Sequence, residues 1–255
     1  MSEFSDGCSV LFGASGGLGQ AIAERMAELG AEQVITYRSN PQQLEGLVAR
    51  LNAQGRTPQL ESCDVTDADS VAAVIDKAIA RHGRVHTVIN ATGLQYAFGT
   101  LAEQDPQAFA NVLDVDVKGF FNIARAAVPH MRAAGGAIVT LGTAAVDATT
   151  PGNTLSSVPK SAVAMMIRLL AAEEGRHGIR ANFVGVGVYS AGMALRMEEA
   201  GATARATLED FARERVPLRR TGQAHECADV VAFLASNRAS YVTGQILHVD
   251  GGLSV

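Results

Sequence analysis

Residues 9–19 read Ser9-Val10-Leu11-Phe12-Gly13-Ala14-Ser15-Gly16-Gly17-Leu18-Gly19. The apolar run Val10–Phe12 enters a glycine-rich turn, and an amphipathic helix follows at once. That order predicts strand, tight loop, helix. Gly13, Gly17 and Gly19 can take φ values closed to other residues and leave no Cβ in a ligand's way. The N–H groups that open the helix point outward, with about half a positive charge of helix dipole behind them. Such a turn is a place for a diphosphate, and Ser15, Gly16 and Leu18 are its other members.

Outward from that loop, strand-like runs recur between helical patterns. Strands are expected at Val34–Thr36, Thr57–Ser62, Thr87–Asn90, Ala137–Leu141, Ile179–Val184 and Gln245–Val249. Helices are expected at about 41–54, 69–82, 105–133, 155–177 and 225–234. Strands alternating with helices of this length imply βαβ units, hence an α/β fold with a parallel sheet covered on both faces. Right-handed crossovers make that sheet doubly wound, with ligands at the carboxyl ends of the strands. No linker divides the 255 residues, so a single domain over 1–255 is expected. The stretch 189–217 is the irregular part and reads as a flap over the sheet edge. Its Met193, Leu195, Met197 and Phe211 suit an apolar substrate, packing against the body, or another subunit.

Apolar residues make up 47% of the chain and charged residues 18%, ample for a core of this size. A net charge of −5 with no basic stripe argues against nucleic-acid binding, and Arg219–Arg220 is an isolated pair. Cys8, Cys63 and Cys227 have neither metal-ligand nor paired spacing, which fits a reducing compartment. Met1–Gly7 has no apolar stretch of signal length, and no segment reaches the ~20 apolar residues of a membrane span. A soluble, cytoplasmic protein without a metal is expected. Helical stretches 120–131 and 158–170 are apolar on more than one face. A helix apolar all round is buried on both sides, which predicts a homo-oligomer, dimer or tetramer, through the helices at about 105–133 and 155–177.

The combination resembles the short-chain dehydrogenase/reductase family over nearly the whole chain, from about Gly7 to Gly252. Gly13-x-x-x-Gly17-x-Gly19 is similar to that family's cofactor loop. Cys63-Asp64-Val65 is similar to its adenine-contacting segment, and Asn90-Ala91-Thr92-Gly93 to its motif after the fourth strand. Gly178–Asn182, Tyr241–Gln245 and Val249–Gly252 match as well. The resemblance implies a Rossmann-type sheet of seven strands, a nicotinamide cofactor and, usually, a tetramer. It implies cofactor contacts at Asp64, Val65, Asn90, Ala91, Gly93, Lys160 and Gly187, beside the glycine loop.

The active-site positions depart from that family's Asn, Ser, Tyr and Lys. Lys160 is kept, but Ser156 stands four residues before it where the family has Tyr. Thr143 stands for Ser and Asp116 for Asn, and the Pro-Gly turn reads Val186-Gly187. Serine is too poor an acid to protonate a developing alkoxide, and general acid catalysis contributes roughly 10²–10⁴-fold. Asp116 and Lys160 would instead organise a charged lysine and a water chain, an arrangement similar to that of 2,4-dienoyl-CoA reductases. Thr143 can donate a hydrogen bond to a substrate oxygen. Tyr96 and Tyr189, on loops at strand ends, line a substrate pocket with Met193 or replace the missing acid.

The second strand ends Thr36-Tyr37-Arg38-Ser39-Asn40, without the acid that NAD sites place on the ribose 2′-OH. Arg38 can pair a 2′-phosphate bidentately and Ser39 can add a donor, so NADP(H) is favoured over NAD(H). Two functions stay open. One is an NADP(H)-dependent oxidoreductase acting on a carbonyl or a conjugated enone or enoyl double bond. The other is a catalytically degraded member serving as a cofactor-binding structural or regulatory subunit.

Overall fold

Buried sequence builds the centre of the sheet. Strand β1 (Cys8–Phe12) is buried at all five positions, and β4 (Val85–Asn90) at all six. A parallel strand covered on both faces has no solvent side to alternate with, so its sequence is a continuous apolar run. Where β4 carries polar residues they are paired within the core: His86 Nδ1 lies 2.9 Å from Thr87 Oγ1, and the ring stacks on Phe4. Burial pushes the His86 imidazole down to about 4, so it is neutral across the physiological range.

The computed structural model describes residues 3–191 and 202–255, and of 202–207 the backbone alone. The remaining strands are β2 (Glu32–Tyr37), β3 (Gln59–Ser62), β5 (Gly136–Thr143), β6 (Ile179–Val186) and β7 (Ile246–Val249). They form one seven-stranded parallel sheet in the order β3-β2-β1-β4-β5-β6-β7. The order reverses direction between β1 and β4, which opens a crevice at their carboxyl ends.

Helices α1 (Gly17–Glu28), α2 (Glu45–Ala53) and α8 (Ala224–Ala235) cover one face, where Ile22, Met26, Leu47 and Val231 meet Leu11 and Ile35. Helices α3 (Ala68–His82), α5 (Gly119–Met131) and α6 (Thr154–Glu174) cover the other, where Ile75, Phe120 and Ile167 meet Val10 and Phe183. Helix α4 (Pro106–Val112) opens under the Asp105 carboxylate, which accepts from the Gln107 and Ala108 N–H groups, with proline at the first helical position.

Several expectations need correction. The helix at about 41–54 is a 3-10 turn, Pro41–Leu44, followed by α2. The long helix at about 105–133 is interrupted by a π-helical segment, Leu113–Lys118, between α4 and α5. β5 and β6 run two residues further than expected, because Gly142 and Gly185 continue the ladder where the apolar run stops. The stretch 189–217 contains a helix, α7 (Ala202–Arg215), rather than irregular chain only. Thr154–His177 is, by length and composition, apolar enough to cross a membrane, although no such segment was expected. Here it lies on the sheet, with Val163, Ala164 and Ile167 buried.

Candidate active site

The parallel arrangement carries the ends of β1, β2, β3, β4, β5 and β6 to one edge of the sheet, and every proposed site residue with described coordinates follows from those ends or from the helices beside them. At the end of β1 the chain turns at Gly13 with φ +88°, and a Cβ there would lie 2.6 Å from the Ala91 carbonyl. A Cβ on Gly19 would sit 2.2 Å from Gly13 O. Glycine is therefore required at both positions. Gly16 N–H donates to Gly13 O at 3.3 Å, and α1 then begins at Gly17 with no side chain capping it. The first N–H groups of a helix have no partner within it. This loop thus presents backbone donors, bare of side chains, to the crevice beside β4.

At the end of β2, Arg38 and Ser39 are exposed. The Arg38 charge reaches the Asp64 carboxylate after β3, which is held below its ordinary pKa chiefly by the Thr66 N–H and hydroxyl. Val65 is buried, and its carbonyl accepts from the Asn122 amide at 2.9 Å. Asn122 escaped the sequence reading. A buried amide on the apolar face of α5 was its signal.

After β4, the Asn90 amide donates to Thr140 Oγ1 at 3.1 Å and its carbonyl accepts from Thr92 N and Oγ1. The Asn90 side chain is thus committed to shaping the turn, and what the turn can offer a ligand is the backbone of Ala91–Gly93. Lys160 Nζ donates to the Thr92 carbonyl at 3.3 Å and lies 3.0 Å from Asp116 Oδ1. Both side chains are largely buried, Asp116 at 5% exposure.

The π segment explains how Asp116 gets there. A π turn accommodates extra residues and is frequent at functional sites. Asp116 is the buried residue of this one, turned toward α6. Ser156 opens α6, one helical turn before Lys160 on the same face, and is buried. Thr143 ends β5; its Oγ1 accepts from Ala145 N–H, which leaves its own O–H to donate. Tyr96 lies on the loop after β4, where burial pushes its phenol pKa up, with the Ser156 hydroxyl and the Asp116 charge as lesser influences.

Tyr189 does not line a pocket. It is 7% exposed, packs in the core beneath α8, and its hydroxyl donates to Val249 O at 2.7 Å. The satisfied hydroxyl and its burial leave no role for it as a proton donor. Gly187 is glycine because Asp250 approaches within 2.7 Å of where a Cβ would be. Met193 lies outside the described residues. A cavity of about 630 Å³ opens at the opposite, amino-terminal edge of the sheet, beside His86, Ile179 and Arg180. Arg180 there is taken up by the carbonyls of Leu234, Val242 and Ser236, so that cavity offers no reactive group comparable to the Lys160–Asp116 pair.

These features define a dinucleotide-binding oxidoreductase fold. Residues 13–254 match the family model described as Enoyl-(Acyl carrier protein) reductase. The chain belongs to the short-chain dehydrogenase/reductase family and is an oxidoreductase of that type, which binds a nicotinamide cofactor. It is 30% identical over 246 residues to the 3-oxoacyl-(acyl-carrier-protein) reductase FabG of Staphylococcus aureus, covering 96% of this chain and 97% of that one. It is 32% identical over 249 residues to the FabG of Thermotoga maritima, with 96% and 97% covered. A short-chain type dehydrogenase/reductase from Mycobacterium ulcerans superposes with TM-score 0.90 at 30% identity, covering 99% of this chain and 91% of that one. A blue fluorescent protein from a metagenomic library, in complex with NADPH, superposes with TM-score 0.85 at 32% identity, covering 98% and 99%.

Proposed function

We propose that the protein is an NADP(H)-dependent reductase of an apolar compound, acting on a carbonyl or a conjugated enone or enoyl double bond without a tyrosine at the usual helical position. The observation that carries this is the buried Lys160–Asp116 ion pair, 3.0 Å apart, at the edge of the sheet where the glycine loop ends. Breaking such a pair leaves a lone buried charge, which costs about 3–5 kcal/mol, so a chain that keeps it at a ligand-binding edge has a use for it.

The residues present fit the dinucleotide. The loop from Gly13 to Gly19 has the tight glycine backbone a diphosphate site uses, since Cβ atoms at Gly13 and Gly19 would collide with the Ala91 carbonyl and with Gly13 O. Arg38 and Ser39 would hold a 2′-phosphate, Asp64 and Val65 would flank the adenine, and the backbone of Asn90, Ala91 and Gly93 would line the crevice. Lys160 would hold the nicotinamide ribose. When bound, the reduced cofactor supplies a hydride. The chain's part is to orient the acceptor and to manage the charge that builds on its oxygen. Thr143 donates a hydrogen bond to that oxygen, and the Lys160 ammonium stabilises it across a partly desolvated site. Exposed Phe98 and Leu101, on the loop after β4, support an apolar acceptor. The FabG relatives and the NADPH-bound neighbour lend support to a reductase using this cofactor.

The test follows NADPH absorbance with a dienoyl-CoA, a cyclic enone and a β-keto ester. Turnover of at least one is expected, with Asp116→Ala and Lys160→Ala each lowering kcat at least as much as Ser156→Ala. Unchanged turnover in the Asp116 and Lys160 variants would remove the ion pair from the mechanism. Tight NADPH binding without turnover would favour a cofactor-binding structural or regulatory subunit.

A further inference from the structure

We propose that His248 and Asp147 are positioning residues of this site, a clasp across the carboxyl ends of β5, β6 and β7 that aims the Thr143 hydroxyl. This rests on the reductase reading above, in which Thr143 donates to the substrate oxygen, and it names what holds that donor in place.

His248 stands on β7 in register with Gly185 of β6. Its imidazole lies over that glycine: a Cβ at 185 would be 2.3 Å from His248 Nδ1 and 3.3 Å from the Thr143 carbonyl oxygen. The ring therefore crosses β6 toward the end of β5, through space that only glycine leaves open. On the far side its Nε2 meets Asp147 Oδ2 at 2.8 Å, a contact between residues 101 positions apart in the chain. An ionised carboxylate only accepts, so Nε2 carries the proton of this bond. The other ring nitrogen, Nδ1, is buried and has no hydrogen-bond partner among the described residues.

Asp147 closes the short turn that follows Thr143. Its N–H donates to Ala144 O at 3.2 Å, and the Ala148 N–H donates to the same oxygen at 3.3 Å. At the start of the turn, Ala145 N–H donates to Thr143 Oγ1 at 3.2 Å. That contact occupies a lone pair of the hydroxyl oxygen and selects one rotamer of a stiff, β-branched side chain, so the O–H is the end left to a substrate. Farther along, Gly152 O accepts from Gly99 N–H at 2.9 Å. The segment 144–152 is thus pinned twice, by His248 near its start and by the loop after β4 near its end.

Stability alone does not account for the clasp. The Asp147 side chain is 52% exposed, and an ion pair with so exposed a member adds little to a fold. A buried ring nitrogen without a partner works against the fold. What the pair does supply is a fixed place for the turn, and a reacting group displaced by about 1 Å can lose about a hundredfold in rate.

Asp147→Ala removes only an exposed side chain. With a substrate that the wild type turns over, kcat is expected to fall by about ten- to a hundredfold. The NADPH dissociation constant, read by NADPH fluorescence, is expected to stay within about twofold, since the cofactor loop is untouched. Asp147→Asn, which still offers an oxygen to Nε2–H, is expected to recover most of the loss. His248→Ala combined with Asp147→Ala is expected to do no more damage than either alone. In a Thr143→Ala background, Asp147→Ala is expected to change kcat by less than about twofold, because the group it positions is gone. Amide hydrogen exchange followed by mass spectrometry reads the clasp without turnover, and Asp147→Ala is expected to speed exchange at residues 144–148. An Asp147→Ala variant that keeps its kcat, or that loses as much in the Thr143→Ala background as in the wild type, would overturn the positioning role and leave the reductase reading standing. Unchanged exchange at 144–148 would overturn the clasp itself. A wild type that binds NADPH but reduces nothing would overturn the reductase reading, and the positioning role with it.

Discussion

At the scale of the residue, the site is a set of side chains whose worth depends on what each leaves unpaired. Arg38 is exposed at the end of β2 and makes no side-chain hydrogen bond among the described residues, so its guanidinium is available to a 2′-phosphate. A charge-assisted hydrogen bond contributes about 1.5–3 kcal/mol, and about 1.4 kcal/mol is tenfold in affinity. Arg38→Ala is therefore expected to weaken NADPH by about tenfold or more and NADH by less than about twofold, measured by titration calorimetry. Equal losses for both would show that Arg38 only stacks on adenine. The glycine loop was legible from sequence because its backbone admits nothing else at Gly13 and Gly19. The absence of the usual tyrosine was equally plain, since Ser156 sits at a fixed spacing from Lys160. The fate of Tyr189 was not legible. A position on a loop after a strand says nothing of whether the loop folds back into the core, as this one does through the Tyr189–Gly222 bridge.

At the scale of the element, the alternation of strands and helices was legible, and each of the seven strands overlaps a stretch expected to be one. Only the central β1 and β4 are buried throughout, however, and β3 is Gln-Leu-Glu-Ser with one buried residue. What escaped was geometry that hydrophobicity does not encode. The π segment at 113–118 leaves no period of its own in so short a stretch, yet it aims Asp116. Helix α8 shows a local device the pattern did not reveal. Glu226 accepts from Gln223 N–H at 2.8 Å in a capping box and takes a bidentate pair from Arg220. Those partners, Arg220 first, hold the Glu226 carboxyl down at about 2. A depressed folded-state pKa contributes stability that is present above the ordinary carboxylate range and is lost as pH falls toward the folded value. Glu226→Gln is expected to lower Tm at pH 7, with the gap from wild type shrinking between about pH 4.5 and pH 2. A gap that persists undiminished at the acid end would assign the loss to the amide's packing instead.

At the scale of the whole molecule, α5 and α6 each bury one face on the sheet and leave another bare. Phe121, Val158, Met165 and Leu169 are each about half exposed on these two neighbouring helices. Soluble monomers rarely leave such a patch uncovered, so we propose that a second copy of the chain packs there. Phe121→Glu with Leu169→Glu is expected to convert a dimer or tetramer to monomer in sedimentation velocity, without changing the far-ultraviolet circular dichroism. A wild type already monomeric at micromolar concentration would refute the interface. The wide turn at 113–118 also bounds how far the protein can be hardened against heat. Its six residues are where substitutions favouring a regular helix have most to gain. They would gain it by restoring about 3.6 residues per turn, which swings the Asp116 carboxylate away from α6. Thermal toughness and chemistry compete at that one place in the fold.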